Sequence, residues 1–93
     1  MASEWDLISF ITGSKVRFRI LTQLNKSKDT PTEISRKLDL HISAVSRALS
    51  ELLENNLIDC LTDERKKFKI YEISKRGKEI LDKIHKETDV NLS

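Results

Sequence analysis

TPTEISRKLDLHISAVSRALSELLE, residues 30–54, holds two amphipathic helices and the turn between them. Thr30 supplies an N-cap, Pro31 suits the first helical position, and Glu33 completes a capping box. This first helix buries Ile34 and Leu38 one turn apart, shows Arg36 and Lys37 to solvent, and ends around Asp39-Leu40-His41. After a short turn, Val45, Ala48, Leu49, Leu52 and Leu53 define the apolar stripe of a second helix, which stops near Asn55-Asn56. With Val45, Leu49 and Leu52 turned inward, Ile42, Ser43, Ser46, Arg47 and Ser50 fall on the opposite face at helical spacing.

Upstream, Ser3 can cap a helix whose N-terminal end is favoured by Asp6 and which stops at Gly13. Its apolar residues Trp5, Leu7, Ile8, Phe10 and Ile11 cover more of the circumference than one core-facing stripe needs. That surplus predicts a contact with a partner. Ser14 caps the next helix, in which Val16, Ile20 and Leu24 recur at i, i+4, i+8, and the stretch Asn25 to Asp29 breaks it. Downstream the period changes. Phe68, Ile70 and Glu72 alternate with Lys69, Tyr71 and Ile73, a strand pattern that pairs with Ile58 to Thr62 as a hairpin tipped by residues 63–67. Ser74 then caps a last helix with Ile80, Leu81 and Ile84 on one face, followed by a polar tail from Thr88.

The predicted order is helix, helix, short capped helix, turn, helix, hairpin, helix. It describes a mainly α fold with a small β-hairpin, a winged helix-turn-helix: the helix pair at about 30–55, the wing at about 57–74, and terminal helices at about 4–12 and 75–88. Ninety-three residues fit one small domain, taken as 1–93. In such a fold the first helix of the pair braces the second, whose exposed N-terminal half can enter a major groove.

Charge is unevenly placed. Residues 14–37 carry seven Lys/Arg against two acids, and residues 64–78 repeat that balance, so each window is +5 although the whole chain is only +2. Residues 38–63 hold Arg47 alone against five acids. A basic block is either a solvated face or an electrostatic footprint for nucleic acid. Glu51 and Glu54 would repel phosphate, but they lie a turn or more beyond Arg47, outside the groove. No apolar run approaches the length that spans a bilayer, and the N-terminus is acidic where a signal peptide is basic, so a soluble, cytoplasmic chain without a membrane partner is expected. The single cysteine, Cys60, cannot form an internal disulfide.

The segment Leu38-Asp39-Leu40-His41-Ile42-Ser43-Ala44-Val45-Ser46-Arg47-Ala48-Leu49, completed by Glu51-Leu52 and Asn56-Leu57-Ile58, resembles the recognition segment of ArsR-like and MarR-like winged-helix transcriptional regulators, of archaeal or bacterial type. The stretch from Gly13 to Leu21 is similar to that family's opening helix, and Tyr71 to Gly77 resembles the strand leading into its closing helix. Asp39 stands where the turn often has Gly, His41 where Ser is frequent, and Ala44 where Thr is common. Asp tolerates the left-handed conformation such a turn needs. The resemblance implies base and phosphate contacts from His41, Ile42, Ser43, Ala44, Ser46 and Arg47, with the wing residues Arg65, Lys66 and Lys67 on the backbone or in the minor groove.

Simpler roles compete with these. Ser43 is a contact or a helix cap; Ser46 and Ser50 are contacts or merely solvated. Arg47 suits bidentate contact to guanine, and Lys66 and Lys67 suit a phosphate-tracking wing or simple solubility. Some ArsR-like proteins bind metals on their terminal helix, and Asp82 and His85 lie three apart there, but one such pair leaves a zinc site incomplete. Cys60 reads as a small buried side chain of a strand. No metal and no cofactor is expected. No nucleophile and base set and no Gly-rich phosphate loop is present, so the chain reads as a non-enzyme. Two functions fit: a sequence-specific regulator of double-stranded DNA, homodimeric through its first and last helices, or a winged helix used as a protein-interaction module in a larger assembly.

Overall fold

Among the described residues, hydroxyl side chains open four helices and a histidine opens a fifth. In the computed structural model, which describes residues 3–62 and 69–92, α1 (Glu4–Thr12) starts at Ser3. Ser3 Oγ accepts the Asp6 N–H and the Asp6 carboxylate accepts the Ser3 N–H, both at 3.2 Å. Helix α2 (Lys15–Lys26) is capped by Ser14, which accepts the Arg17 N–H at 3.3 Å. Helix α3 (Pro31–Leu38) is capped by Thr30, which accepts the Glu33 N–H at 3.2 Å. The reciprocal half of the expected box does not form there. Asp29 Oδ1 takes the Thr30 N–H at 3.0 Å, and the Glu33 carboxylate pairs with Arg36 one turn further on, a cation being its better partner. Helix α5 (Lys75–Leu92) begins after Ser74, whose Oγ accepts the Gly77 N–H at 3.0 Å. It continues past Thr88, where a polar tail was expected, because residues 88–92 contain no Gly or Pro to stop it.

Between α3 and α4 (Ile42–Glu54) the chain turns through Asp39, at φ 53° and ψ 49°. The left-handed Asp costs about 1–2 kcal/mol relative to an ordinary backbone. Hydrogen bonds offset it: Leu40 N–H donates to Ser35 O at 3.0 Å, and Ser35 Oγ donates to Leu40 O at 2.5 Å. A second left-handed residue, Asn56 at φ 60°, ends the α4 segment and starts the chain into the wing.

Strands β1 (Ile58–Thr62) and β2 (Lys69–Ile73) pair antiparallel in the register Ile58↔Ile73, Cys60↔Tyr71, Thr62↔Lys69. Ile58, Tyr71 and Ile73 face the core, while Asp59, Leu61, Ile70 and Glu72 share the outer face. Asp29 adds an isolated antiparallel bridge on the free edge of β2: its N–H donates to Tyr71 O at 3.0 Å and its carbonyl accepts Tyr71 N–H at 2.8 Å. The segment expected only to interrupt α2 thus tethers the helix pair to the wing. The Asp29 side chain is buried and accepts Lys37 Nζ at 2.7 Å. The predicted hairpin tip, residues 63–67, lies outside the described residues.

One apolar cluster joins all the helices to the hairpin, with Ile11, Ile20, Leu21, Ile34, Leu52 and Ile80 fully buried. Two expectations change. Leu53 is 39% exposed, because Val45, Ala48, Leu49 and Leu52 already fill the inward face of α4. On α1, Leu7, Ile8 and Ile11 are buried within the chain's own core and Phe10 is half-buried, so the predicted apolar surplus shrinks to Trp5, 65% exposed.

Candidate nucleic-acid interface

Helix α4 is held by its inward residues, and its opposite face is left to solvent. His41, Ile42, Ser43, Ser46, Arg47 and Ser50 are all exposed there, and Ala44 is half-buried. The structure therefore brings together all six residues expected on the recognition segment. Arg65, Lys66 and Lys67, expected on the wing, lie outside the described residues.

Ser43 is not the cap of α4. His41 is, with Nδ1 accepting the Ser43 N–H at 3.2 Å and lying 2.7 Å from Ser43 Oγ. A ring nitrogen that accepts a backbone N–H leaves Nε2 as the protonated nitrogen of the neutral ring. The exposed His41 ring thus keeps Nε2 as its donor, and the Ser43 hydroxyl is held against Nδ1.

The first basic block does not act as one surface. Lys37 pairs with buried Asp29, Arg36 with Glu33, and Arg19 Nη2 donates to the Leu38 carbonyl at 2.8 Å, all stabilising α3. Arg17 turns inward. Its Nη2 donates to Glu51 Oε2 at 2.6 Å, its Nη1 donates to the Phe10 carbonyl at 3.1 Å, and its guanidinium carbon stands 4.0 Å from the Phe10 ring centroid. One side chain thereby ties the end of α1 to α2 and α4. A cleft of about 350 Å³ runs between the start of α2 and α4, lined by Ser14, Val16, Arg17, Ala44, Arg47, Ala48 and Glu51. The hydrogen bond from Arg17 holds the Glu51 carboxyl below the usual carboxylate range against the opposing effect of desolvation, and the charges of Arg17 and then Arg47 lower it further. Arg47 itself has no ion-pair partner among the described residues. The second basic block keeps Lys69, Lys75, Arg76 and Lys78 exposed, with Arg76 3.7 Å from Glu79.

Arg17, with Glu51 as its partner, is the residue that sequence reasoning missed. The two are 34 positions apart, and nothing local marks them as a pair. Among the described residues no group of three or more His, Cys, Asp and Glu side chains could hold a metal ion. His85 packs edge-on against Phe18 with ring centroids 6.2 Å apart. No described helix is long and apolar enough to cross a membrane.

This arrangement of a braced helix pair and a following hairpin is a winged helix-turn-helix fold. The chain belongs to the winged helix-turn-helix family, whose model matches residues 12–91. No curated protein matches it in sequence. In fold it is similar to a MarR-family transcription regulator, at TM-score 0.77 and 22% identity, over 85% of this chain and 54% of that one. It is also similar to the transcriptional regulator BldR from Sulfolobus solfataricus, at TM-score 0.74 and 22% identity over 85% and 57%. A MarR variant from Escherichia coli complexed with operator DNA matches at TM-score 0.72 and 20% identity, over 78% of this chain and 54% of that one. The chain spans little more than half the length of these regulators.

Proposed function

We propose that the chain is a transcriptional regulator that binds double-stranded DNA sequence-specifically, with α4 as its recognition helix. The observation that carries this reading is the outer face of α4, where exposed His41, Ser43, Ser46 and unpaired Arg47 stand together on a rigidly braced helix. Arg47 reads a base edge, preferably guanine, through its paired donors. His41, Ile42, Ser43, Ala44 and Ser46 make the surrounding base and phosphate contacts, and Arg65, Lys66 and Lys67 neutralise the flanking backbone. The fold's likeness to a MarR variant in complex with operator DNA supports the same docking. The working unit is a cytoplasmic homodimer in which exposed Trp5 and the length of α5 meet a second copy, and it carries out no catalysis.

One observation favours the protein-interaction reading. The outer face of the wing sets Asp59 opposite Glu72 beside half-exposed Leu61 and Ile70, a surface that DNA would repel.

Titration against salt separates the two. Arg47→Ala should cost roughly 1–3 kcal/mol on a selected duplex and relax preference at one base pair, while random DNA notices it less. Replacing Lys66 and Lys67 together should weaken both duplexes about equally and lower the salt slope by about one unit per lost phosphate contact. The selected duplex should give a footprint with two-fold symmetry. If neither variant alters DNA binding, the chain is an interaction module.

A further inference from the structure

Arg47 and Glu51 stand four residues apart on α4, the spacing at which helical side chains meet, and both line the cleft beside the start of α2. Two such groups would ordinarily pair. An Arg47 held by Glu51 would have to break that pair before its donors could reach a base edge.

In the structure a different arginine takes the carboxylate. Arg17 reaches Glu51 Oε2 at 2.6 Å, and it arrives already anchored by the Phe10 carbonyl at 3.1 Å and the Phe10 ring at 4.0 Å. Pairing an anchored guanidinium loses less side-chain freedom than pairing an exposed one. The competing pair is also the weaker orientation, since a cation placed N-terminal to its acid at i, i+4 opposes the helix dipole. Both effects direct Glu51 to Arg17.

We propose that Arg17 is a positioning residue for DNA recognition: by occupying Glu51, it keeps the Arg47 guanidinium unpaired and available to the duplex. The proposal rests on the reading that Arg47 contacts DNA. Arg17 never touches the nucleic acid. It acts through a carboxylate that would otherwise capture the recognition arginine and face the phosphates.

The test uses the full chain, with fluorescence anisotropy titrations on a selected duplex and thermal unfolding of every variant. Arg17→Met keeps an apolar stem over Phe10 and removes the charge. It should weaken binding on the order of three- to tenfold, from the new i, i+4 pair plus an uncompensated carboxylate within a Debye length of phosphate. The double variant Arg17→Met/Glu51→Gln should return to within about twofold of wild type. Glutamine cannot restore the contacts to Phe10, so a merely structural Arg17 would give no rescue, and the thermal loss of Arg17→Met should persist in the double variant. In an Arg47→Ala background, Arg17→Met should cost less than it does in the wild type. If Arg17→Met does not fold, Arg17→Gln replaces it: glutamine keeps an N–H donor for the Phe10 carbonyl and removes the charge from Glu51, and its affinity loss should again be rescued by Glu51→Gln. Absence of rescue, or an equal cost in both Arg47 backgrounds, overturns the proposal. If Arg47→Ala itself leaves DNA binding unchanged, the reading of α4 fails, and that outcome is visible independently of any Arg17 variant.

Discussion

Gly77 lies in the first turn of α5, where the helix crosses closely over the connection between α4 and β1. A Cβ at this position would fall 2.1 Å from the Leu57 carbonyl oxygen and 2.8 Å from Ile73 Cγ1. Neither neighbour is free to withdraw. Leu57 O accepts the Ser74 N–H at 3.0 Å, and Ile73 is paired with Ile58 in the hairpin. Ser74 is held in turn, with its hydroxyl donating to Asn56 O at 2.7 Å and accepting the Gly77 N–H at 3.0 Å. Two effects oppose one another in Gly77→Ala. Helix propensity favours alanine by at most about 1 kcal/mol. Overpacking costs about 1–3 kcal/mol, and because the obstacle is backbone rather than a flexible side chain, the upper end applies. The net loss is about 2 kcal/mol, which for a chain of this size lowers Tm by roughly 8–16 °C. Thermal and urea unfolding measure it, with the exposed neighbour in Lys78→Ala as a control expected to stay within about 0.5 kcal/mol. A Gly77→Ala protein as stable as the wild type would refute the close crossing of α5 over Leu57, and with it the fixed seating of the wing on the helices.

Asp29→Ala leaves Lys37 and the Thr30 N–H without their partner and should cost about 1–3 kcal/mol in urea unfolding, whereas Asp29→Asn keeps the Thr30 bond and should cost less. Equal losses would count against the side chain's double role. His41→Ser installs a preferred N-cap and should stabilise the protein by about 0.5 kcal/mol, while His41→Ala should destabilise it by about 0.5–1 kcal/mol; unchanged stability in both would show that α4 does not depend on this cap. The Glu51 carboxyl is lowered below its ordinary value of 4.5, chiefly by the Arg17 hydrogen bond, so its contribution is present above that value and is lost as pH falls through the lowered one. Glu51→Gln should therefore lie below wild type at neutral pH and converge with it in acid; a gap independent of pH would mean that the ion pair adds nothing.

Much of this fold could be read locally. Ser3, Ser14, Thr30 and Ser74 mark helix starts because a short hydroxyl side chain satisfies a backbone N–H two or three residues away, an interaction complete within one turn. The exposed face of α4 followed from the same kind of rule, since burying Val45, Leu49 and Leu52 leaves Ser43, Ser46 and Arg47 no other side to occupy. Where local rules failed, a stronger competitor stood nearby: Asp29 displaced Glu33 at the Thr30 N–H, and His41 preceded Ser43 in capping α4.

The sequence by itself determined the helices, the two strands of the hairpin, the turn through Asp39 and the exposed face of α4, because caps, periodicity and left-handed tolerance act over a few residues. Only the tertiary structure decided which cations are available to a partner. Seven basic residues between 14 and 37 look alike in a charge count, yet Arg17, Arg36 and Lys37 are paired with Glu51, Glu33 and Asp29. Whether α1 has apolar surface to spare was likewise a question of packing, and burial of Leu7, Ile8 and Ile11 within the chain's own core answered it. The physical reason is the same in both cases: a charge or an apolar side chain is spent on whatever the fold brings within about 4 Å, and for Arg17 that partner lies 34 residues away along the chain.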